Sequence, residues 1–317
     1  MPVTRLENLR GEYDPVLSLI QNGYSNGLFV GNFLFPIAEV DKKHGKIRTF
    51  GKEHLRRYNG KRAVGADPTT LSQDVITYSA YDADQYCYEL RLDELEEDAA
   101  AETEYKIAES NVKILEDVIL LEEEAQIASM CQTGANFTNT VTLAGNNQWN
   151  VVHADSTPIT DIETGMSAIR LATGHEANTI VCGYTSYKSL KNHSTIIARI
   201  QYSQIGITTP DIVGALFGTP ENPVKVHVGS SIYDNAGTIT DLWGDACIIA
   251  YVPPSPGEMA NVWTPGFGYS LHQKGKKEMR SYLAHPSGMV KANMTTDIFI
   301  PKFSMEKSGY LILDCNA

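Results

Sequence analysis

Residues 99–133 read AAAETEYKIAESNVKILEDVILLEEEAQIASMCQT and predict one long amphipathic helix from Ala99 to Thr133. Apolar residues recur at steps of three and four, the spacing of one helix face. They form two neighbouring stripes, one of Tyr105, Ala108, Val112, Leu115 and Ile119 and one of Ile107, Ile114, Val118, Leu121, Ala125 and Ala128. Such a helix would be about 50 Å long. We expect a buried apolar face, a solvated acidic face, and a left-handed Gly134 at its end.

Charge is concentrated in two segments, one that includes most of this helix and one upstream of it. From Glu89 to Glu124 there are fourteen acidic and three basic residues, so this segment carries a net charge of -11 out of -12 for the chain. From Asp41 to Arg62 there are nine basic and two acidic residues, a net charge of +7. The two segments are therefore complementary, either within one molecule or between copies of it.

Composition sets the broad class of protein. A chain of 317 residues with 42% hydrophobic content can bury a large core, in one domain or two. A pI of about 5.1 argues against a surface that binds nucleic acid throughout. Five cysteines without a CxxC pair indicate free thiols in a reducing compartment. The N-terminus lacks a signal-peptide core, and the apolar run Leu28–Ala38 is too short to cross a bilayer. We expect a soluble protein made inside the cell, with no membrane contact.

The basic segment predicts a long hairpin over Val40–Tyr81. Asn59-Gly60 is a strong hairpin-turn signal, and strand-forming residues stand on both sides of it. The same composition would also fit a basic loop without regular structure. Gln85–Asp93 then alternates between apolar and polar residues, which predicts a half-buried strand leading into the helix.

After the helix, the pattern changes to strands alternating with capped helices, as in an α/β unit. We expect a capping box at Thr160–Glu163 opening a helix to Thr173, with Gly174 beyond its end. The other expected elements are a buried strand at Asn178–Gly183, helices at Ser186–Lys191, Thr195–Ile200 and Pro210–Phe217, and strands in VKVHVGSSIY and DACIIAYVPP. The last sixty residues are rich in strands, so the fold class is α+β, with the α/β unit inserted into a helix-on-sheet unit.

The sequence contains no recognisable catalytic or metal-binding pattern. The phosphate-binding, dinucleotide-binding, nucleophile-elbow and zinc-protease motifs are all missing. The eight histidines share no ligand-like spacing, and the helix carboxylates follow the spacing of a solvated face. We therefore predict no enzyme activity, no catalytic or metal-ligating residues and no cofactor.

Order and charge pattern together resemble a known family. The first half of the chain is similar to major capsid proteins of tailed bacteriophages with the Hong Kong 97 fold, through GNFLFPIAEVDKKHGKIRTFGKE, the basic hairpin, YELRLDELEEDAA and the long helix. The later part resembles the middle of the same proteins, through TGHEANTIVCGYTSYKSLKNHSTIIARI, the LFG that closes the Thr209 helix, and DACIIAYVPPSP. The resemblance covers nearly the whole chain in the family's order.

This resemblance implies a domain plan and a structural role. The plan has an N-terminal arm (1–37), an extended loop (38–84), a peripheral domain (85–162 and 258–317) with the helix as its spine, and an axial domain (163–257). The role is self-assembly into pentamers and hexamers of an icosahedral shell, a virion component made in the host bacterial cytoplasm. The shell would enclose double-stranded DNA without sequence-specific binding, and scaffolding, portal and decoration proteins are further partners that the family suggests. The chain begins at the arm, so we expect any scaffold to be a separate protein.

A hairpin of this length needs a neighbour to cover it, and the acidic helix of the next subunit is the complementary surface. The predicted basic contact residues are Lys42, Lys43, Lys46, Arg48, Lys52, Arg56, Arg57, Lys61 and Arg62. The predicted acidic contact residues are Glu94, Glu96, Glu97, Asp98, Glu102, Glu109, Glu116 and Glu123.

Two other functions also fit the sequence. One is a shell protein of an encapsulin-like bacterial compartment, which would carry a cargo-binding groove on its inner face. The other is a soluble α/β enzyme with a mobile basic lid over an anionic substrate, which would be a compact monomer or dimer with a catalytic cleft.

Overall fold

The computed structural model describes residues 12–13, 15–49, 61–62, 64–65, 67, 77–96, 98, 107–200, 208–253, 264–284 and 290–316. Over these residues the fold is mixed α+β, as predicted, and is built on two main sheets. The helices are α1 (Pro15–Gly23), α2 (Gly31–Leu34), α3 (Ile107–Gln132), α4 (Pro158–Thr173), α5 (Tyr184–Asn192), α6 (Ser194–Ile200) and α7 (Pro210–Phe217). Short 3₁₀ turns cover Gly134–Asn136, Gly145–Asn147 and Glu306–Ser308.

Most of the described strands are short, whereas the strand Asp84–Asp93 has ten residues and the strand Val290–Phe303 has fourteen. They are β1 (Glu12–Tyr13), β2 (Ile37–Val40), β3 (His44–Thr49), β4 (Thr77–Asp82), β5 (Asp84–Asp93), β6 (Thr140–Thr142), β7 (Thr179–Gly183), β8 (Lys225–Gly229), β9 (Ile232–Asn235), β10 (Thr238–Asp241), β11 (Cys247–Ala250), β12 (Gly268–Gln273), β13 (Glu278–Leu283), β14 (Val290–Phe303) and β15 (Gly309–Leu313). The long strand β14 organises the first sheet.

In the first sheet, β14 has neighbours on both sides. The order is β1-β13-β14-β12-β2, and β5 pairs along the other edge of β14. Its first half pairs with β13 and its second half with β12, while β5 runs antiparallel to it from Asp93 opposite Val290 to Asp84 opposite Phe299. The alternation predicted for β5 is confirmed, because Leu92 is buried and the neighbouring Arg91 and Asp93 are exposed.

The second sheet has the order β6-β15-β11-β7-β8. Strand β7 is buried at every position, which confirms the predicted buried strand, and β11 is equally buried. The side chains of Ile180 and Ile249 belong to a core shared with the helices α4 to α7, whereas Val181 and Ile248 face the core below α3. Strands β6 and β15 come from the ranges predicted for the other unit, so residues of both predicted units share this sheet.

Helix α3 connects the two sheets through different halves of its length. Val112 and Leu115 pack with Met279 of the first sheet, and Ile127, Ala128 and Cys131 join the core of the second. The second apolar stripe was predicted wrongly in part, because Ile114 is 51% and Val118 is 40% exposed. Residues 99–106, where the sequence predicted the start of this helix, lie outside the described part of the chain.

Two helix ends differ from the sequence prediction. Helix α3 ends at Gln132, and Gly134 begins a 3₁₀ turn with no positive φ. The terminal carbonyls of Ser129 and Met130 accept hydrogen bonds from Thr133 Oγ1 (2.7 Å) and Asn136 Nδ2 (3.0 Å), so no left-handed residue is needed.

Helix α4 begins at Pro158, and its N-cap is Thr157, three residues before Thr160, the cap of the predicted capping box. The Asp161 carboxylate instead accepts a hydrogen bond from Trp149 Nε1 at 3.0 Å. At the other end, Gly174 adopts φ 75°, so the predicted left-handed cap is confirmed.

The base of the predicted hairpin is confirmed. Strands β3 and β4 pair antiparallel, with His44 opposite Asp82 and Thr49 opposite Thr77. Ile47 is 3% exposed and packs with Ala38, Tyr269 and Leu271, which joins this base to the edge of the first sheet. The predicted Asn59-Gly60 turn lies outside the described residues.

Candidate assembly surface

The acidic side of α3 is not uniformly solvated, contrary to the sequence prediction. Glu116, Glu123 and Glu124 are at most 3% exposed and point into the subunit. A buried carboxylate is costly unless donors or cations surround it. Each of these three has its own set of partners from distant parts of the chain.

Glu124 joins three elements. Its Oε1 accepts hydrogen bonds from the Val30 amide (2.8 Å) and Trp243 Nε1 (2.7 Å), and its Oε2 accepts one from the Gly31 amide (2.7 Å). Burial raises the pKa of Glu124, while the three donors act in the opposite direction. A Cβ at Gly31 would lie 2.5 Å from Oε2, so this close approach requires glycine. Glu124 therefore holds the N-terminus of α2 and the Trp243 loop on α3.

Glu123 and Asp297 enclose a histidine. His272 Nε2 lies 3.1 Å from Glu123 Oε1, and His272 Nδ1 lies 3.2 Å from Asp297 Oδ2. Ser270 Oγ donates to the same Glu123 oxygen at 2.6 Å. Burial alone would lower the pKa of His272, but hydrogen bonds with Asp297 and Glu123 raise it to about 10. The imidazole is thus a cation at neutral pH and links α3 to β12 and β14.

The raised pKa predicts that the subunit loses stability in alkaline solution. Unfolded histidine titrates near 6.5, so the contribution of protonated His272 is complete below that pH and is lost as the pH rises through about 10. A tenfold difference in proton affinity between the folded and unfolded chain corresponds to about 1.4 kcal/mol. We expect the free energy of unfolding, measured by urea denaturation of unassembled subunits, to fall by more than about 1 kcal/mol between pH 7 and pH 10 relative to His272→Gln. Parallel pH profiles for the two proteins would contradict this assignment.

Glu116 forms an ion pair with Lys277, which extends from the turn before β13. Burial raises the pKa of Glu116, and the Lys277 ammonium opposes that shift. Glu116 and Glu123 were both predicted as contacts between subunits. Since their partners lie inside the subunit, neither belongs to an acidic outer surface.

The other predicted contact residues fall into three groups. The exposed ones are Glu94, Glu96, Asp98, Lys42, Lys43, Lys46, Lys61 and Arg62. Two are half-buried, Arg48 and Glu109. Five lie outside the described residues: Lys52, Arg56, Arg57, Glu97 and Glu102. The structure thus places exposed bases at the base of the loop and at residues 61–62, and exposed acids just after β5.

A groove that sequence reasoning missed lies between α3 and the two-stranded ribbon of β9 and β10. Its volume is about 790 Å³, and Val118, Leu121, Ala125 and Leu242 contribute to an apolar floor. Glu122, Asp234 and Asp241 also line it, and none of its described lining residues is basic. The partly exposed Val118, an apolar residue placed on the predicted core face, belongs to this groove. In the sequence, the DNAG turn could have predicted the β9–β10 ribbon, because Ala236 (φ 52°) and Gly237 (φ 92°) reverse the chain there.

A second cleft, of about 740 Å³, lies beside Trp149 and His193. Ser156 Oγ is 3.1 Å from His193 Nε2, but it donates to the Gln148 carbonyl oxygen at 2.8 Å and the residue is 2% exposed. This pair therefore holds the loop before α4 against the α5–α6 junction.

Over the described ranges, no group of three or more His, Cys, Asp or Glu residues is placed to hold a metal ion. No helix in the described part of the chain is long and apolar enough to cross a membrane.

The fold defines a class of protein. A phage-related protein of Bordetella bronchiseptica RB50, known from a crystal structure, has a similar fold, with a TM-score of 0.79, 26% identity, and coverage of 96% of this chain and 98% of that one. The capsid structure of cyanophage P-SCSP1u shares the fold at a TM-score of 0.54 and 10% identity, covering 92% of this chain and 90% of that one. The fold is that of phage capsid subunits.

The sequence gives the family. No family model matches it. The major capsid protein of Burkholderia phage BcepMu, however, is 33% identical over 316 residues, covering 98% of this chain and 99% of that protein. The chain therefore belongs to the family of phage major capsid proteins. It is a structural protein of a capsid shell and a component of the virion.

Proposed function

We propose that this chain assembles as pentamers and hexamers into the icosahedral head of a tailed phage, with a subunit of the Hong Kong 97 fold. The observation that carries the proposal is the relationship to a major capsid protein over 98% of the chain. In a shell built from one subunit type, each weak contact is repeated in every copy, so modest energies per contact are enough to stabilise the closed shell.

Within this proposal the chain divides as the resemblance implies. Residues 1–37 form the arm, 38–84 the extended loop, 85–162 and 258–317 the peripheral domain with its spine helix at 99–133, and 163–257 the axial domain. The first sheet with α3, and the second sheet with α4 to α7, support two units. Strand β15 pairs with β11 of the axial range and with β6, so the second sheet contains strands from both ranges.

We propose that the basic loop of one subunit binds an acidic surface of the next subunit, formed by the segment after β5, the outer side of the long helix and the groove beside it. The hairpin base is anchored through Ile47, and the bases beside it, Lys42, Lys43 and Lys46, are exposed. The acidic side of the contact consists of Glu94, Glu96, Glu97, Asp98, Glu102 and Glu109, together with the groove carboxylates Glu122, Asp234 and Asp241. Exposed ion pairs contribute about 0.2–1 kcal/mol each and weaken with salt. Contacts of this strength allow misplaced subunits to dissociate before a shell closes.

The proposed shell also has partners. It would enclose double-stranded DNA without sequence-specific binding. Because the net charge of -12 on the chain repels the phosphates, packaging of the DNA would need a separate motor. Portal, scaffolding and decoration proteins are further partners that the family suggests. Synthesis would take place in the cytoplasm of the bacterial host.

Electron microscopy of the purified protein tests this function. We expect closed, hollow particles of uniform diameter after expression of the chain, alone or with a neighbouring scaffold gene. Particles should dissociate or fail to form as salt rises, because the loop contact is electrostatic. A protein that stays monomeric or dimeric under all these conditions would contradict the proposal.

A further inference from the structure

Two buried thiols face each other across the second sheet. Cys182 of β7 and Cys247 of β11 are directly opposite in the antiparallel register, and their sulfur atoms lie 3.2 Å apart. Both residues are 0% exposed, and all five cysteines are free.

The register decides what these thiols can do. The Gly183 amide donates to the Ala246 carbonyl oxygen at 3.0 Å, so the adjacent pair is hydrogen-bonded and the cysteine pair is of the non-hydrogen-bonded kind. In such pairs the Cα atoms approach to about 4.5 Å. A disulfide needs a Cα separation of about 4.4–6.8 Å. The two cysteines are thus placed for a bond that requires little backbone movement.

The reduced pair reacts slowly in its present environment. The hydrogen bond with Cys182, together with burial, raises the pKa of Cys247 well above its usual range. Thiols held in the protonated form react slowly, because the thiolate is the nucleophile. A reducing cytoplasm would therefore keep the strands unlinked while the subunit folds.

We propose that Cys182 and Cys247 are a modification site, at which an oxidant of the peroxide class forms a reversible cross-strand disulfide. One thiol loses its proton and attacks a peroxide oxygen, which gives a sulfenic acid and water. The second sulfur then attacks the first, the S–S bond forms, and a second water leaves. Overall, two thiols and one hydrogen peroxide give one disulfide and two waters. The bond joins the central strands β7 and β11 and closes a large loop of the unfolded chain, which favours the folded state.

Disulfide formation at this site does not require shell assembly, so its test uses the full-length subunit with Cys87→Ser. This change removes the exposed thiol, which would otherwise link separate molecules. The protein is freed of reductant, treated with hydrogen peroxide, alkylated after denaturation and digested for mass spectrometry. We expect the alkylated thiols to fall from four to two, a peptide joining Cys182 to Cys247, a mass lower by about 2 Da, and full reversal by dithiothreitol.

Matched variants separate this outcome from others. Cys315→Ser should still form the bond, whereas Cys247→Ala and Cys182→Ala should each keep all their remaining thiols. Oxidation should also raise the unfolding midpoint of the parent protein and leave that of Cys247→Ala unchanged. Recovery of both thiols alkylated, their overoxidation to sulfinic acids, or a Cys182–Cys315 link would overturn the proposal.

Discussion

Subunits in which Arg56, Arg57, Lys61 and Arg62 are all changed to glutamate are expected to fold but not to form shells. The change turns the net charge of residues 41–62 from +7 to -1, because four positive charges become four negative ones. Under the proposed function this segment then meets like charge on the neighbouring helix. Each lost ion pair costs about 0.2–1 kcal/mol, and repulsion adds to that loss at every copy of the contact. Assembly should be abolished, as measured by size-exclusion chromatography and electron microscopy.

A charge-preserving variant controls for changes in shape. Arg56→Lys, Arg57→Lys, Lys61→Arg and Arg62→Lys together keep the segment at +7 and should assemble nearly as the parent protein does. Circular dichroism should show both variants folded, since the exposed Lys61 and Arg62 do not belong to the core. Normal shells from the glutamate variant at physiological salt would show that the basic loop does not bind an acidic surface.

Leu115→Asp is expected to unfold the subunit itself. Leu115 is 3% exposed and packs in one cluster with Leu17, Val112 and Met279, where α3 meets α1 and the first sheet. Removing a buried leucine side chain costs about 2–5 kcal/mol, and a buried carboxylate without a partner adds several more. The sum approaches the total stability of about 5–15 kcal/mol that is common for domains. We expect insoluble protein, or soluble protein without a cooperative thermal transition.

The neighbouring residue supplies the control. Ile114 is 51% exposed, so Ile114→Asp should change the free energy of unfolding by about 0.5 kcal/mol or less. The pair thus tests which face of the helix is buried. A soluble Leu115→Asp protein that melts like the parent would show that the buried face was placed incorrectly.

Several features of the fold could be predicted because they are local. The alternation in β5, the fully buried strand β7, the Thr209-Pro210 start of α7 and the left-handed Gly174 each depend on a few consecutive residues. The helix ends were predicted less well. Gly134 predicted a left-handed end for α3, but the side chains of Thr133 and Asn136 donate hydrogen bonds to its last carbonyl groups instead.

The candidate assembly surface was only partly predictable. The charge contrast between the basic loop and the acidic helix is a property of composition and was visible at once. The groove between α3 and the β9–β10 ribbon was not, since it joins Val118 and Glu122 to Asp234 and Asp241, more than a hundred residues further along the chain. No spacing rule connects two such segments before the sheets are assembled.

The sequence by itself determined the helix, the strand periods, the α+β class and the separation of charge, because each follows from residues near one another in the chain. Only the tertiary structure decided which carboxylates face outward. Helical period shows that Glu116, Glu123 and Glu124 share a side of α3 with apolar residues, but it cannot reveal Lys277, His272 or the Val30 and Gly31 amides. A carboxylate stays buried when donors from elsewhere reach it, and that placement is settled when the sheets pack against the helix.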